Sequence, residues 1–202
     1  MSQAADKSNL IEKSAKSIFN LPNIITMARI LCVPFFVWSL FAIEPESNAR
    51  WFSVLIFIVI MISDGVDGAI ARKRGLITNL GKLLDPIADK ALLGGALIAL
   101  SIHNEFPWWV TIVILVRELG ITVYRLVVVQ REVVAASSGG KLKTILQSVL
   151  IGSLASPLEF AFAPWYLTVE SVLTAVVLVI TVSTGLQYLI AAGRARQQRI
   201  KE

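Results

Sequence analysis

Residues 64–90 read DGVDGAIARKRGLITNLGKLLDPIADK and place four aspartates between two long apolar stretches. Asp64 and Asp67 are three residues apart, which puts them about 60° apart around a helix, on one face. Asp85 and Asp89 repeat this arrangement with a spacing of four. The connection between the two pairs is strongly basic and makes the two helices antiparallel neighbours. The pattern therefore predicts that all four carboxylates converge at one end of a helix pair.

The composition predicts an all-α, polytopic membrane protein. The 202 residues are 55% hydrophobic and have a mean hydropathy of +0.71, values typical of chains that cross a bilayer repeatedly. Six apolar stretches are long enough, or nearly so, to cross about 30 Å of hydrocarbon as helices. We predict these transmembrane helices at 24–43, 51–70, 84–102, 107–129, 143–163 and 166–191. The chain then divides into an N-terminal segment (1–22), a six-helix membrane domain (23–192) and a basic tail (193–202).

Two shorter segments carry local predictions. Ile11, Ala15, Ile18 and Phe19 recur at helical spacing, which favours an amphipathic interfacial helix before the first span. A frayed polar tail is the alternative. Residues 137–140, Ser-Ser-Gly-Gly, predict a turn before the fifth helix.

The basic residues are distributed unevenly between the loops. Connections 44–50, 103–106 and 159–166 contain glutamates and one basic residue, Arg50, whereas the other connections and both termini are rich in lysine and arginine. By the positive-inside rule, both termini and the aspartates face the cytoplasm. Topology thus accounts for the formal charge of +5, and we expect no nucleic-acid partner.

Carboxylates inside spanning segments indicate function because each costs a few kcal/mol to insert. Four of them in one place would repel one another, and a divalent cation relieves that repulsion while using their oxygens as ligands. Hard oxygen donors without His or Cys favour Mg²⁺ or Mn²⁺ over zinc. The alternative is that each aspartate caps a helix or pairs with Arg72, Lys82 or Lys90.

A second group of charged residues suggests a phosphate-binding site. Arg117 and Arg125 lie eight residues apart on the fourth helix, and Lys141 and Lys143 begin the fifth. Guanidinium groups match phosphate oxygens well, so the group predicts an acceptor that already carries a phosphate. Alternatively, these cations balance nearby glutamates such as Glu118, or lipid head groups.

The aspartate segment matches the pattern DxxDGxxARx8GxxxDxxxD without a departure, and the chain resembles the CDP-alcohol phosphotransferase family. The similarity extends along nearly the whole chain. It includes Leu21-Pro22-Asn23 with Thr26 and Arg29, the run Leu84–Lys90, Arg117-Glu118 and Gly140–Thr144. These segments resemble the bacterial branch that uses glycerol 3-phosphate as acceptor.

The resemblance implies a six-helix fold, usually a homodimer, with a polar cavity open to the cytoplasm and the inner leaflet. It implies that Asp64, Asp67 and Asp85 hold metal, and that Asp89 both binds metal and serves as general base. A pair of Mg²⁺ or Mn²⁺ ions is the expected cofactor. The residues that it assigns to the CDP-lipid are Asn23, Thr26, Gly68, Ala71, Arg72, Thr78 and Gly81.

The expected reaction is transfer of the phosphatidyl group of CDP-diacylglycerol to glycerol 3-phosphate in the bacterial inner membrane, with release of CMP. Within the family, inositol phosphate, serine or phosphatidylglycerol could be the acceptor, the last giving cardiolipin. Outside it, a cation transporter could also use membrane carboxylates. The aspartates cluster at one face without an acidic relay to the other, which disfavours transport. A catalytically silent scaffold is disfavoured by the complete aspartate set.

Overall fold

The computed structural model describes residues 20–74, 78–128, 138–162 and 164–201. Within these ranges it describes the side chains of all residues except 72, 74, 79, 82, 124–128, 138–141 and 191–201. The predicted amphipathic helix before residue 20 lies outside the described residues.

The described residues form helices and no strands, which confirms the all-α prediction. The long helices are α1 (Leu21–Ala42), α2 (Trp51–Arg74), α3 (Asn79–Ile102), α4 (Trp108–Val128), α5 (Ser138–Leu154) and α7 (Trp165–Lys201), with a short α6 (Leu158–Phe162) between the last two. A single 3-10 turn, Asn48–Arg50, precedes α2.

The third helix begins earlier than predicted. Thr78 caps α3 by accepting a hydrogen bond from the Gly81 backbone N–H at 3.0 Å, so the helix starts at Asn79 rather than near residue 84. Asp85 and Asp89 therefore lie well inside the helix instead of at its first turn.

The fifth predicted span is interrupted. α5 ends at Leu154, and α6 begins only at Leu158. Pro157 accounts for the break, because a proline disfavours helical backbone at the residue before it and has no N–H to donate. At the other end, α5 already begins at Ser138, so the turn predicted over residues 137–140 is wrong for its last three residues.

Membrane-spanning character is clearest in three helical segments. Leu21–Ala42, Asn48–Ala71 and Trp165–Ile190 are long and apolar enough to cross a bilayer. α3 and α4 are similar in length but carry charged residues, including Asp85 and Asp89 in α3 and Arg117 and Glu118 in α4. In the described part of the chain, three helical segments are thus apolar and long enough to cross a membrane. Within the same described residues, the other three predicted spans are not apolar over a sufficient continuous length.

α1 packs against both α2 and α3 and forms the centre of the core. Phe36, Leu40, Phe57, Leu97 and Leu100 are buried at these contacts. The rings of Phe36 and Phe57 lie 5.4 Å apart between centroids. This packing places α2 and α3 on either side of α1. The prediction that these two helices are direct neighbours is therefore wrong: each packs mainly against α1, which lies between the aspartate pairs.

The contact between α1 and α3 depends on a glycine. A Cβ added at Gly95 would lie 2.8 Å from Val37 Cγ2, whereas one added at Gly94 would meet Leu115 Cδ2 at an ordinary 3.5 Å. We expect Gly95→Ala to lower the thermal unfolding temperature in detergent, because overpacking costs about 1–3 kcal/mol. Gly94→Ala is the matched control and should leave that temperature unchanged or raise it, since alanine favours helix. Equal effects of the two substitutions would contradict this account of the helix contact.

Arg50 is buried at the end of the core opposite the aspartates. Its guanidinium is fully buried and donates hydrogen bonds to the carbonyls of Leu40 at 2.8 Å and Ile43 at 2.7 Å. It also pairs with Glu105 Oε2 at 2.6 Å. Arg50, the one basic residue of the acidic loops, thus has a structural role. It links the end of α1 to the connection between α3 and α4.

Candidate active site

The four aspartates converge, as their spacing predicts, and two residues of α1 hold them together. The Arg29 guanidinium contacts Asp64 and Asp67 of α2, and its NH1 lies 3.3 Å from Asp89 Oδ1 of α3. The Arg29 side chain is only 1% exposed. A buried cation therefore links the two helices that carry the aspartates.

Thr26 lies one helical turn before Arg29 and completes the cluster. Its hydroxyl oxygen lies 3.0 Å from Asp67 Oδ2 and 3.1 Å from Asp85 Oδ1. A hydroxyl has a single proton, so it can donate to only one of these carboxylates at a time. Thr26 thus brings Asp85 next to Asp67, whereas the described contacts of Arg29 are with Asp64, Asp67 and Asp89.

The donor set of this cluster fits a hard divalent cation. Four carboxylates and one guanidinium leave an excess of negative charge, and all the carboxylate donors are oxygens of the kind that Mg²⁺ and Mn²⁺ prefer. No three acidic, His or Cys side chains in the described residues are already grouped at metal-ligand spacing.

Asn23, Thr78 and Gly81 meet where α1 and α3 begin. Thr78 Oγ1 lies 2.9 Å from Asn23 Oδ1, and Asn23 is buried. A Cβ at Gly81 would lie only 2.9 Å from Asn23 Oδ1, so the close approach requires glycine. Three of the residues expected to bind the CDP-lipid are thus in mutual contact.

The other residues expected at the CDP-lipid lie on α1 and α2. Thr26 contacts the aspartates directly. Gly68 follows Asp67, and Ala71 lies about one turn farther along α2, half-buried. The side chain of Arg72 is outside the described residues.

A second cluster is centred on the buried Glu118 of α4. Its carboxylate binds the ammonium groups of Lys90 from α3 and Lys143 from α5, and it accepts from Arg117 NH1 at 2.7 Å. The second guanidinium nitrogen of Arg117 donates to Thr184 Oγ1 of α7 at 2.8 Å. Three cations on one carboxylate leave an excess of positive charge and connect four helices.

The residues expected to bind the acceptor phosphate are only partly brought together. Lys143 lines the cavity described below, whereas Arg117 is absent from its lining and binds Glu118. The side chains of Arg125 and Lys141 are outside the described residues. The structure contains the ion pairs expected from the alternative, in which Arg117 and Lys143 balance the charge of Glu118. However, one carboxylate cannot neutralise these two cations and Lys90 together.

An open cavity joins the two clusters. Its polar lining comprises Arg29, Asp64, Asp89, Lys90, Glu118, Lys143, Thr144, Gln147 and Ser148, and the remainder is apolar, with Phe57, Ile60, Met61, Leu92, Leu93 and Ile151. Asp89 and Lys90 are adjacent on α3, and they belong to the negative and the positive cluster respectively. The cavity therefore has an acidic wall and a basic wall that meet at Asp89 and Lys90.

Three residues central to this site were not predicted from the sequence as site residues. Arg29, Lys90 and Glu118 are ionisable side chains within or beside apolar stretches, so the cost of inserting charge could have identified them as it identified the aspartates. Their partners could not be predicted in the same way. Arg29 is separated from Asp64 by 35 residues and from Asp89 by 60.

Comparison with known proteins finds one matching family and several relatives. A family model described as CDP-alcohol phosphatidyltransferase matches residues 19–186. The chain is 46% identical over 178 residues to the "Probable phosphatidylglycerophosphate synthase" of Mycobacterium tuberculosis, covering 88% of this chain and 83% of the relative. It is 43% identical over 148 residues to the "CDP-diacylglycerol--glycerol-3-phosphate 3-phosphatidyltransferase" of Bacillus subtilis, covering 68% and 77%. A Shigella flexneri protein of the same name is 34% identical over 182 residues, covering 86% and 95%.

Proposed function

The chain belongs to the CDP-alcohol phosphatidyltransferase family, and on that premise we propose that it transfers the phosphatidyl group of CDP-diacylglycerol to glycerol 3-phosphate and releases CMP. The relatives from M. tuberculosis and B. subtilis carry names for this activity. The observation that carries the proposal is the cavity between Asp64 and Asp89 on one wall and Lys90 and Lys143 on another. It offers separate places for a metal-bound diphosphate and for the phosphate of an acceptor.

In this proposal Asp64, Asp67, Asp85 and Asp89 hold Mg²⁺ or Mn²⁺, as a pair of ions. Bound metal would neutralise the diphosphate and stabilise the charge that develops on departing CMP. The convergence of all four side chains on Arg29 and Thr26 supports this assignment.

We assign the general base to Asp89. Its side chain is 55% exposed and lines the cavity, so an acceptor hydroxyl can reach it. The carboxylate would take the hydroxyl proton as the acceptor oxygen forms its bond to the lipid-linked phosphorus and the bond to the CMP oxygen breaks. We propose direct transfer to the acceptor, because it is simpler than a route through a covalent lipid–enzyme intermediate.

The CDP-lipid is assigned to the ends of α1, α2 and α3 next to the metal site. Its proposed contacts are Asn23, Thr26, Gly68, Ala71, Arg72, Thr78 and Gly81. The packing of Asn23, Thr78 and Gly81 supports a nucleotide position beside the aspartates.

The acceptor phosphate is assigned to the Glu118 cluster. We retain Arg117, Arg125, Lys141 and Lys143 as its ligands and add Lys90, because Lys90 and Lys143 line the cavity. An incoming phosphate would compete with Glu118 for these ammonium groups, which favours an acceptor that carries its own anionic charge. This disfavours serine, but inositol phosphate and phosphatidylglycerol remain candidates to be tested.

The proposed setting is the bacterial inner membrane, with both termini and the active site on the cytoplasmic side. The positive-inside distribution of lysine and arginine supports this orientation. A homodimer is expected from the family resemblance.

An acceptor comparison tests the function directly. Purified protein is given CDP-diacylglycerol and Mg²⁺ with glycerol 3-phosphate, inositol phosphate or phosphatidylglycerol in separate reactions, and CMP release is measured. We expect release with glycerol 3-phosphate and little with the others. Preferential release with another acceptor, release independent of acceptor, or no release would overturn the acceptor assignment.

Lys143→Gln tests the phosphate site. Loss of a charge-assisted contact should raise KM for glycerol 3-phosphate about 10- to 100-fold with a smaller change in kcat. Lys73→Gln is the matched control, because Lys73 is exposed on α2 and is not among the cavity-lining residues. A Lys143→Gln enzyme with unchanged KM would contradict the assignment.

A further inference from the structure

Arg29 occupies the space between the carboxylates that the proposed metal ion would need. Its guanidinium contacts Asp64 Oδ1, Asp67 Oδ2 and Asp89 Oδ1. A positive group already bound to these oxygens and a divalent cation are therefore competitors for the same negative cluster.

The metal-free protein needs such a positive group. The four carboxylates repel one another, and the charge of Asp67, which is buried, is strongly destabilising when it is left unpaired. Thr26 can donate a hydrogen bond to Asp67 or Asp85, but it adds no charge. The nearby Lys90 is engaged by Glu118. Among the described contacts of the aspartates, Arg29 supplies the compensating charge.

The contacts of Arg29 suit a residue that can give up its place. Its NH1 and NH2 contact carboxylates, while its buried Nε–H has no hydrogen-bond partner among the described residues, so one donor is left unsatisfied in this position. Arg29 also borders the cavity, so its side chain lies next to that open space.

We propose that Arg29 is a positioning residue that acts as the internal counter-cation of the metal-free protein. It keeps Asp64, Asp67 and Asp89 assembled until a divalent ion binds, and it then yields carboxylate oxygens to that ion. The exchange rests on the proposed metal site, but it concerns assembly of the site rather than the chemical step.

Thermal unfolding of Arg29→Met with and without metal tests this role. In EDTA the variant should lose about 10 °C or more in unfolding temperature relative to the wild type. Saturating Mg²⁺ should recover most of that loss, so the metal-induced rise should be larger in the variant than in the wild type. Arg50→Met is the matched control: it removes a buried, ion-paired arginine at the opposite end of the helices, and its loss should be the same with and without Mg²⁺.

Two further measurements separate charge compensation from packing. Adding Asp64→Asn to Arg29→Met should restore part of the unfolding temperature in EDTA, because the double variant has one fewer uncompensated carboxylate. By titration calorimetry, Arg29→Met should bind Mn²⁺ at least about tenfold more tightly than the wild type, because the competing positive charge is gone.

Equal destabilisation of Arg29→Met with and without Mg²⁺, no rescue by Asp64→Asn, or unchanged Mn²⁺ affinity would overturn the inference. A wild-type protein that binds no Mn²⁺ would overturn the exchange together with the metal assignment. Failure of the acceptor assay alone would leave the unfolding and affinity results standing, so the two proposals can fail separately.

Discussion

Asp89→Asn should lower kcat by about 10³-fold or more while leaving the binding of CDP-diacylglycerol largely intact. Asparagine has nearly the shape of aspartate but cannot accept the acceptor proton, and general base catalysis contributes about 10²–10⁴-fold. Asp89 borders the cavity and makes only the longest of the Arg29 contacts, at 3.3 Å. Its replacement should therefore disturb the cluster less than replacement of a more deeply buried aspartate. Single-turnover CMP release and a separate CDP-lipid binding measurement would establish both effects.

Asp67→Asn is the informative comparison for this variant. Asp67 is buried and contacts both Arg29 and Thr26, so its replacement should weaken metal and CDP-lipid binding as well as turnover. The two variants should thus differ in lipid affinity even where both lose activity. The proposed roles, Asp89 as general base and Asp67 as a binding residue, would be contradicted if both variants lost CDP-lipid binding equally. They would also be contradicted if Asp89→Asn kept a substantial kcat at saturating acceptor.

Arg50→Met should reduce stability by about 3–5 kcal/mol, the cost of leaving one partner of a buried ion pair uncompensated. Arg50 is fully buried between two backbone carbonyls and Glu105. Methionine keeps part of the volume but restores none of these contacts. Chemical denaturation in detergent micelles would measure the loss.

The same variant should show a characteristic pH dependence. Burial raises the pKa of the Glu105 carboxyl, and the neighbouring Arg50 opposes that rise. Removing Arg50 should raise this pKa further. A carboxyl whose folded pKa is raised contributes stability at low pH that is lost as pH rises through that value. The stability deficit of Arg50→Met relative to wild type should therefore be smaller near about pH 5 than near about pH 8. A deficit that is independent of pH would show that Glu105 remains charged without its partner.

Local spacing was sufficient to predict the negative half of the site. Asp64 and Asp67, like Asp85 and Asp89, lie within about one helical turn of each other, so their shared face follows from helix geometry alone. The two helices do not pack mainly against each other; each packs against α1, and residues of α1 link their aspartates. The convergence on Arg29 and Thr26 agrees with that prediction.

The positive half was less predictable. Helical spacing relates Arg117 to Arg125 on one helix, but it does not determine how that helix is rotated against its neighbours. In the structure Lys143 reaches the cavity, whereas Arg117 turns toward Glu118 and Thr184 of α7. Hydropathy also merged α5 and α6 into one span, because an average over many residues does not register the break at Pro157.

By itself, the sequence determined the helical class, the family, the carboxylate pairs and the end of the helices at which they lie, because these depend on composition and on residues close together in the chain. Only the tertiary structure decided which cation lies among the aspartates, which cations reach the cavity and why Arg50 is present in an acidic loop. Those outcomes depend on pairings between distant segments. Helix packing decides which oppositely charged group lies within contact distance of each buried charge. The spacing of residues along the chain does not encode that contact.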